Sequence, residues 1–433
     1  MARLKYLTYC VIVWLYSFSL RIILCRDSTE SLTDNILQSG IYDALNISGN
    51  MKLDDIIKKI ESYADTELDD KDLNITQLIQ KDGFEVEEHT VTTEDGYILK
   101  MFRIPRSGPP IFLMHGIISG SDVWVSTGFD KALAYSLAAQ NYDVWMGNAR
   151  GTRYSLKHVT LSSYQPSFWN YTWHEIGIYD VPTMIDRVLE ITKRPSLSYI
   201  GHSQGTTVFY VMCSLKPEYN EKISLMVSLA PIAYITNSKF FLYKILSINP
   251  EASYAAFTSA GIYNFFGHDE VFLPVETTLC GNPFTALVLC QSLTSLAGGF
   301  NYKQVNVPRL PVIFRYFPTG SSVKQGVHYL QSGRAERFQQ FDYGPHNLDH
   351  YNSTSPPTYP LENIKAPIAL FFGDGDYLSV REDVDKLVQR LPNVVDFYTV
   401  PDENFEHFDF LWSKDINTLI LPRLLKLIKM YTL

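Results

Sequence analysis

Leu197-Ser198-Tyr199-Ile200-Gly201-His202-Ser203-Gln204-Gly205-Thr206-Thr207-Val208-Phe209-Tyr210 is the stretch on which the reading of this chain turns. Its first four residues form a short run of strand character, and residues 206–214 have helical character. Between them lies Gly-x-Ser-x-Gly. Alone, that pentapeptide occurs by chance; a strand before it and a helix after it make it a nucleophile elbow. The glycines permit a tight strand-to-helix turn in which larger side chains would clash, so the Ser203 hydroxyl is lifted out of the sheet at a helix N-terminus. The alternative is a serine in an ordinary βα turn, and the flanking pattern argues against it.

The same alternation extends outward in both directions. Strands are expected at 86–91, 97–104, 111–114, 143–146, 223–229, 368–372 and 394–400, the first two joined by a turn at Glu94-Asp95-Gly96. Helices are expected at 131–139, 178–191 and 416–430. Strands alternating with helices imply an α/β class with a mostly parallel sheet covered on both faces. Together with the elbow, the pattern predicts the α/β-hydrolase fold. Residues 232–364 interrupt the alternation and are rich in aromatics, as in Phe240-Phe241-Leu242-Tyr243. So long an insertion is expected to form a cap and lid subdomain over the C-terminal edge of the sheet, where ligands bind in open α/β sheets. The core is then 73–231 plus 365–433. The acidic stretch 26–72 carries Leu53, Ile56, Ile57 and Ile60 at helical spacing and is expected to be a propeptide or a loosely attached extension.

A serine hydroxyl is a poor nucleophile until a base takes its proton. In this fold the partners follow in the order Ser, Asp or Glu, then His. Of the ten histidines, His407 alone follows the last expected strand, in Asn404-Phe405-Glu406-His407-Phe408-Asp409-Phe410. The acid should follow the strand at 368–372, where Gly373-Asp374-Gly375-Asp376 offers two candidates that spacing does not separate. The one not used would stabilise the turn. Backbone donors for the oxyanion are expected at Gln204 and, after His115-Gly116, at Ile117. His115 itself is expected to brace that loop. No metal site is expected: His346 and His350 have an i, i+4 spacing, but Pro345 and its loop-like neighbours argue against a helix there. No P-loop or GxGxxG calls for a nucleotide cofactor.

A formal charge of -9 argues against nucleic acid as a partner. Arg3 and Lys5 precede an apolar run at 7–16 and Ser17-Phe18-Ser19, so residues 1–25 read as a signal peptide, with an uncleaved anchor as the alternative. No stable transmembrane insertion is expected beyond it. Sequons at Asn46, Asn74, Asn170 and Asn352 fit a secreted or lysosomal destination. In an oxidising compartment Cys280 and Cys290 would form a local disulfide, while Cys213 would be a buried thiol. An aromatic share of 14% suits either a filled core or an apolar substrate site.

Several longer stretches resemble the acid lipase family, which includes the gastric and lysosomal acid lipases. They are Thr93-Glu94-Asp95-Gly96-Tyr97-Ile98-Leu99, Phe112-Leu113-Met114-His115-Gly116, the run from Tyr142 through Gly147-Asn148-Ala149-Arg150-Gly151, the elbow itself, and Leu229-Ala230-Pro231. The resemblance runs from about Leu73 to the C-terminus. It implies that the acid is Asp376, at the end of Gly-x-x-Asp, and that the His-x-Asp-Phe context marks His407. It also implies a cap disulfide in the region of Cys280 and Cys290. The implied activity is hydrolysis of water-insoluble esters, triacylglycerols or sterol esters, beneath a mobile lid at a lipid–water interface. The alternatives are a carboxylesterase for soluble esters and a non-catalytic lipid-binding protein on the same scaffold.

Overall fold

Phe112 and Leu113 are both fully buried, although consecutive residues of a strand point to opposite faces. The same is true of Trp145 and Met146, Tyr199 and Ile200, Met226 and Val227, and Leu370 and Phe371. One member of each pair packs into one hydrophobic cluster and the other into a second cluster across the sheet. These strands therefore carry apolar residues without alternation because both of their faces are covered. The computed structural model that displays this describes residues 40, 42–45, 58–59, 68–267, 274 and 278–432. The signal stretch, the Asn46 sequon and the apolar spacing from Leu53 to Ile60 lie outside them.

In chain order the strands are β1 (Glu87–Thr92), β2 (Tyr97–Ile104), β3 (Pro110–Met114), β4 (Asp143–Gly147), β5 (Lys157–His158), β6 (Leu197–His202), β7 (Ile223–Leu229), β8 (Asn264–Phe265), β9 (Ser321–Ser322), β10 (Ile368–Phe372) and β11 (Val394–Thr399). The main sheet runs β1-β2-β4-β3-β6-β7-β10-β11, with β5 beside β2. From β4 to β11 every pairing is parallel, and β1 and β2 form an antiparallel edge. β6, which leads into the elbow, is central in this order.

Helices α1 (Ile75–Lys81), α2 (Leu133–Ala139), α3 (Val181–Thr192) and α4 (Gln204–Leu215) precede the insertion. Within the insertion lie α5 (Phe241–Leu246), α6 (Ser292–Gly298) and α7 (Val323–Ala335), and α8 (Leu421–Tyr431) closes the chain. The expected helix at 416–430 is broken at Ile420, leaving a short turn at Ile416–Leu419 before α8. Pro422 is the cause: it has no N–H, and its ring crowds the carbonyl four residues back. A short helix, Asn347–Tyr351, forms where the sequence argued against one. Pro345 lies before this helix, where its missing N–H disrupts nothing. There His346 pairs with Asp349 at 3.2 Å and His350 stacks on Tyr343.

Two residues of the 26–72 stretch are held firmly by the rest of the chain. Leu45 is buried in one of the two core clusters, and the Asp70 carboxylate lies 2.5 Å from the Arg309 guanidinium. Cys280 and Cys290 are disulfide-bonded, and Cys213 is a buried free thiol. No helix of the described residues is long and apolar enough to cross a membrane.

The turn after β4 is organised by one buried cation. Arg150 Nε and Nη2 donate to Asp180 at 2.8 and 2.6 Å, Nη1 and Nη2 donate to Asp95 at 2.5 and 2.9 Å, and the guanidinium lies 3.9 Å over the Tyr97 ring. It ties the β1–β2 turn to the start of α3. Arg150→Leu leaves Asp180 buried without its partner, a loss of about 3–5 kcal/mol. The urea midpoint should fall accordingly. Arg150→Lys should not restore it, because an ammonium cannot address both carboxylates as the planar fork does.

Candidate active site

At the elbow the backbone is forced. Ser203 has φ 52° and ψ -118°, outside the ordinary regions for an L-residue. It is held there from both sides: Ser203 N–H donates to the Leu229 carbonyl at 3.0 Å, and the following turn is fixed by Thr206 Oγ1 donating to Ser203 O at 2.7 Å. Gly205 has no substitute, since a Cβ there would collide with the Met114 carbonyl oxygen. Ser203 thus stands at the N-cap of α4, and the Gln204 N–H, in the first turn, has no intrahelical acceptor.

The loop after β3 packs on Ser203: a Cβ on Gly116 would lie 3.1 Å from the Ser203 Cβ. His115 Nε2 accepts from Ala149 N–H at 3.1 Å, so its proton resides on Nδ1, which donates to the Gly116 carbonyl at 2.7 Å. Burial depresses this histidine to about 4, keeping the ring neutral and the tautomer fixed. A trans peptide points its C=O and N–H in opposite directions. With the Gly116 carbonyl turned to the His115 ring, the Ile117 N–H is aimed to the other side.

The two aspartates separate cleanly. Asp374 is exposed and accepts from Arg381 Nη2 at 3.0 Å. Asp376 is buried, with Oδ2 2.8 Å from His407 Nδ1 and Oδ1 accepting the N–H groups of Leu378 and Ser379, each at 2.8 Å. That pairing places the His407 proton on Nδ1 and leaves Nε2 with its lone pair. Among the described residues no hydrogen bond joins Ser203 Oγ to His407. Their link is through His202, whose Nε2 donates to the His407 carbonyl at 2.8 Å. Burial and the neighbouring His407 hold His202 well below the usual histidine range.

The residue between the glycine and serine of the elbow carried no sequence signal for this bracing role. Two buried carboxyls flank His407 and were equally silent. Glu406 and Asp409 are both pushed well above the usual carboxylate range, chiefly by burial and, for Glu406, by the charge of Asp409. Asp409 accepts from Glu406 N–H and from Asn301 Nδ2, and Glu406 accepts from Phe408 N–H, bonds that oppose the effect of burial at each carboxyl. Among the described residues no cluster of three or more His, Cys, Asp or Glu side chains could hold a metal ion.

Residues 109–414 match the α/β hydrolase fold family, and residues 75–128 match a partial α/β-hydrolase lipase region. Lipase 1 of Drosophila melanogaster is 39% identical over 83% of this chain and 80% of its own. The gastric triacylglycerol lipase of Bos taurus is 35% identical over 79% of this chain and 88% of its own. The lysosomal acid lipase/cholesteryl ester hydrolase of Homo sapiens is 33% identical over 83% and 91%. Among solved structures, a soluble variant of the monoglyceride lipase of Saccharomyces cerevisiae superposes with a TM-score of 0.50 at 13% identity, covering 81% of this chain and 95% of that one. These matches place the whole span from the first core strands to the C-terminal loop carrying His407 in one lineage, and the chain belongs to the acid lipase family, lipid-ester hydrolases built on the α/β-hydrolase fold.

Proposed function

We propose that this protein cleaves fatty-acyl esters of water-insoluble lipids, triacylglycerols or sterol esters, through an acyl-enzyme on Ser203. The observation that carries the reading is the 2.8 Å bond from His407 Nδ1 to Asp376, in loops that close around the strained Ser203 turn. His407 Nε2 takes the Ser203 proton as Oγ attacks the ester carbonyl carbon. The oxyanion is received by the N–H groups of Ile117 and Gln204, the one aimed by His115 and the other by the first turn of α4. Collapse expels the alcohol, which takes the proton from His407. Water then attacks the acyl carbon, giving a proton to His407; as the second intermediate collapses, His407 returns that proton to the departing Ser203 Oγ, releasing the fatty acid and restoring Ser203. Asp376 holds the ring and stabilises its charged form.

The partner is a lipid surface, and the insertion 232–364 acts as the cap. Phe241 and Ile248 are 73% and 77% exposed, and Leu242 and Ile245 join them on the same turns of and after α5. Lys239 and Lys244 flank the patch, also exposed. Large apolar side chains grouped this way mark a surface that meets something apolar. The segment is tied to the acid loop, since Lys239 N–H and Ser238 Oγ both donate to the Tyr377 carbonyl, at 2.7 and 2.9 Å. A secretory route, ending outside the cell or in the lysosome, is consistent with the disulfide and with exposed sequon residues Asn74, Asn170 and Asn352.

The chain assayed on emulsified triolein and on a soluble short-chain ester should hydrolyse both, and Ser203→Ala should lower kcat on the order of 10⁴-fold or more. Asp376→Asn should cost roughly 10⁴-fold, while Asp374→Asn stays within about twofold of the parent. Equal losses in the two aspartate variants would overturn the assignment of the acid. Activity on the soluble ester alone would make the protein an esterase, and no Ser203-dependent turnover on either would leave a lipid-binding protein. Separately, Phe241→Ser with Ile248→Ser removes two side chains each worth about 1.5–3 kcal/mol of burial in lipid. The emulsion concentration at half-maximal rate should rise at least about tenfold, with kinetics on the soluble ester unchanged.

A further inference from the structure

The proposed base and acid sit on two separate loops of the core, one after β10 and one after β11. A third segment, from the insertion, grips both. The Gly298 carbonyl, at the end of α6, accepts the N–H of Tyr377 at 3.0 Å and the N–H of His407 at 3.4 Å. One oxygen therefore joins the residue after Asp376 to His407 itself. Such an approach is open only to residues without a side chain. A Cβ at Gly298 would collide with the Glu406 carboxylate, and one at Gly299, where φ is 126°, would collide with the Gly375 carbonyl.

Three residues further on, Asn301 is buried among carboxylates. Its Nδ2 donates to Asp409 Oδ2 at 2.7 Å and to Asp402 Oδ2 at 3.2 Å. The same Asp409 oxygen accepts the Glu406 N–H at 3.0 Å, so it closes a tight turn around His407. Gln304 Nε2 adds a bond to Asp402 at 3.1 Å. The His407 loop is thus fastened before and after the histidine by neutral amide donors supplied from the insertion. Amides suit this place, because they donate to buried carboxylates without adding charge.

We propose that segment 298–304 sets the position of His407 relative to Asp376 and Ser203, with Asn301 as a positioning residue; this rests on the triad proposed above. His407 must present Nε2 to Ser203 while Nδ1 stays on Asp376, and both requirements fail if its loop rotates. A misplacement of about 1 Å at a reacting group costs up to about a hundredfold in rate. Asn301 touches neither substrate nor the reacting atoms, so its effect should fall on kcat and not on substrate affinity.

The test uses the full chain with Asn301→Asp, which keeps the volume but exchanges the donor for another carboxyl, and with the exchange pair Asn301→Asp/Asp409→Asn, which restores an amide facing a carboxyl between positions 301 and 409 and leaves Asp402 Oδ2 to Gln304 alone. Rates on the soluble ester are expressed per active site, counted by titrating Ser203 to completion with a fluorophosphonate, so that unfolded protein does not enter the comparison. In Asn301→Asp, kcat per site should fall about tenfold to a hundredfold with KM within about twofold of the parent, and the exchange pair should recover part of the loss. Asn301→Ser, a milder change, gives the same reading if Asn301→Asp does not fold. Unchanged kcat per site in the folded variant, with only a lower Tm, would make Asn301 a structural residue and overturn the inference while leaving the triad intact. A parent chain inert to both the fluorophosphonate and the ester would overturn the triad, and the inference with it.

Discussion

Ser203 occupies a backbone conformation that costs an L-residue about 1–3 kcal/mol, and the rest of the molecule is arranged so that it has no alternative. Its N–H is committed to β7, the glycine two residues later is pressed on the end of β3, and α4 begins at once behind it. The first two of these constraints would not exist in an isolated strand-turn-helix. They require β6 to lie between β3 and β7 in a parallel sheet, with all three ending at one edge. Burial of both faces of that sheet supplies the driving force, and the strain at one residue is a small debit against it.

The charge pattern at that edge follows from the same burial. His115 and His202 are held neutral by loss of solvent and used as fixed hydrogen-bonding braces. Glu406 is lifted toward its neutral form for the same reason, with the Asp409 charge adding to it. Burial therefore disfavours charge on these groups around Ser203, which suits an ester substrate that is itself uncharged. Against this background the Asp376 and His407 pair stands out, among the described residues, as a bond in which a buried carboxylate meets a buried imidazole.

What the sequence disclosed was what is local in the chain. The elbow was legible because strand, Gly-x-Ser-x-Gly and helix are contiguous, and the core strands were legible as short unbroken apolar runs. Spacing did not separate Asp374 from Asp376, and only the family resemblance chose Asp376, since the difference depends on which way one turn faces: Arg381 draws the first outward, and the second lies under His407. Aromatic content was equally ambiguous, because it does not distinguish Trp173, stacked in the interior with His328 and Phe338, from Phe241, left in solvent. Gly298 and Asn301 meet a loop more than a hundred residues away, and no periodicity or motif at either end announces the contact.

Tyr377 shows how closely the insertion and the core depend on each other. Its N–H goes to Gly298, its carbonyl takes Lys239 and Ser238, and its ring lies against Phe300. The residue next to Asp376 is thus held from both sides by segments that a division into core and cap would assign to the cap. One of those segments continues into the exposed apolar turns at Phe241 and Ile248, and the other fastens the His407 loop. The turns at Phe241 and Ile248 are thus joined to the loop that carries Asp376 by the hydrogen bonds of Lys239 N–H and Ser238 Oγ to the Tyr377 carbonyl. The two loops that carry Asp376 and His407 are therefore held jointly by the sheet edge and by the insertion.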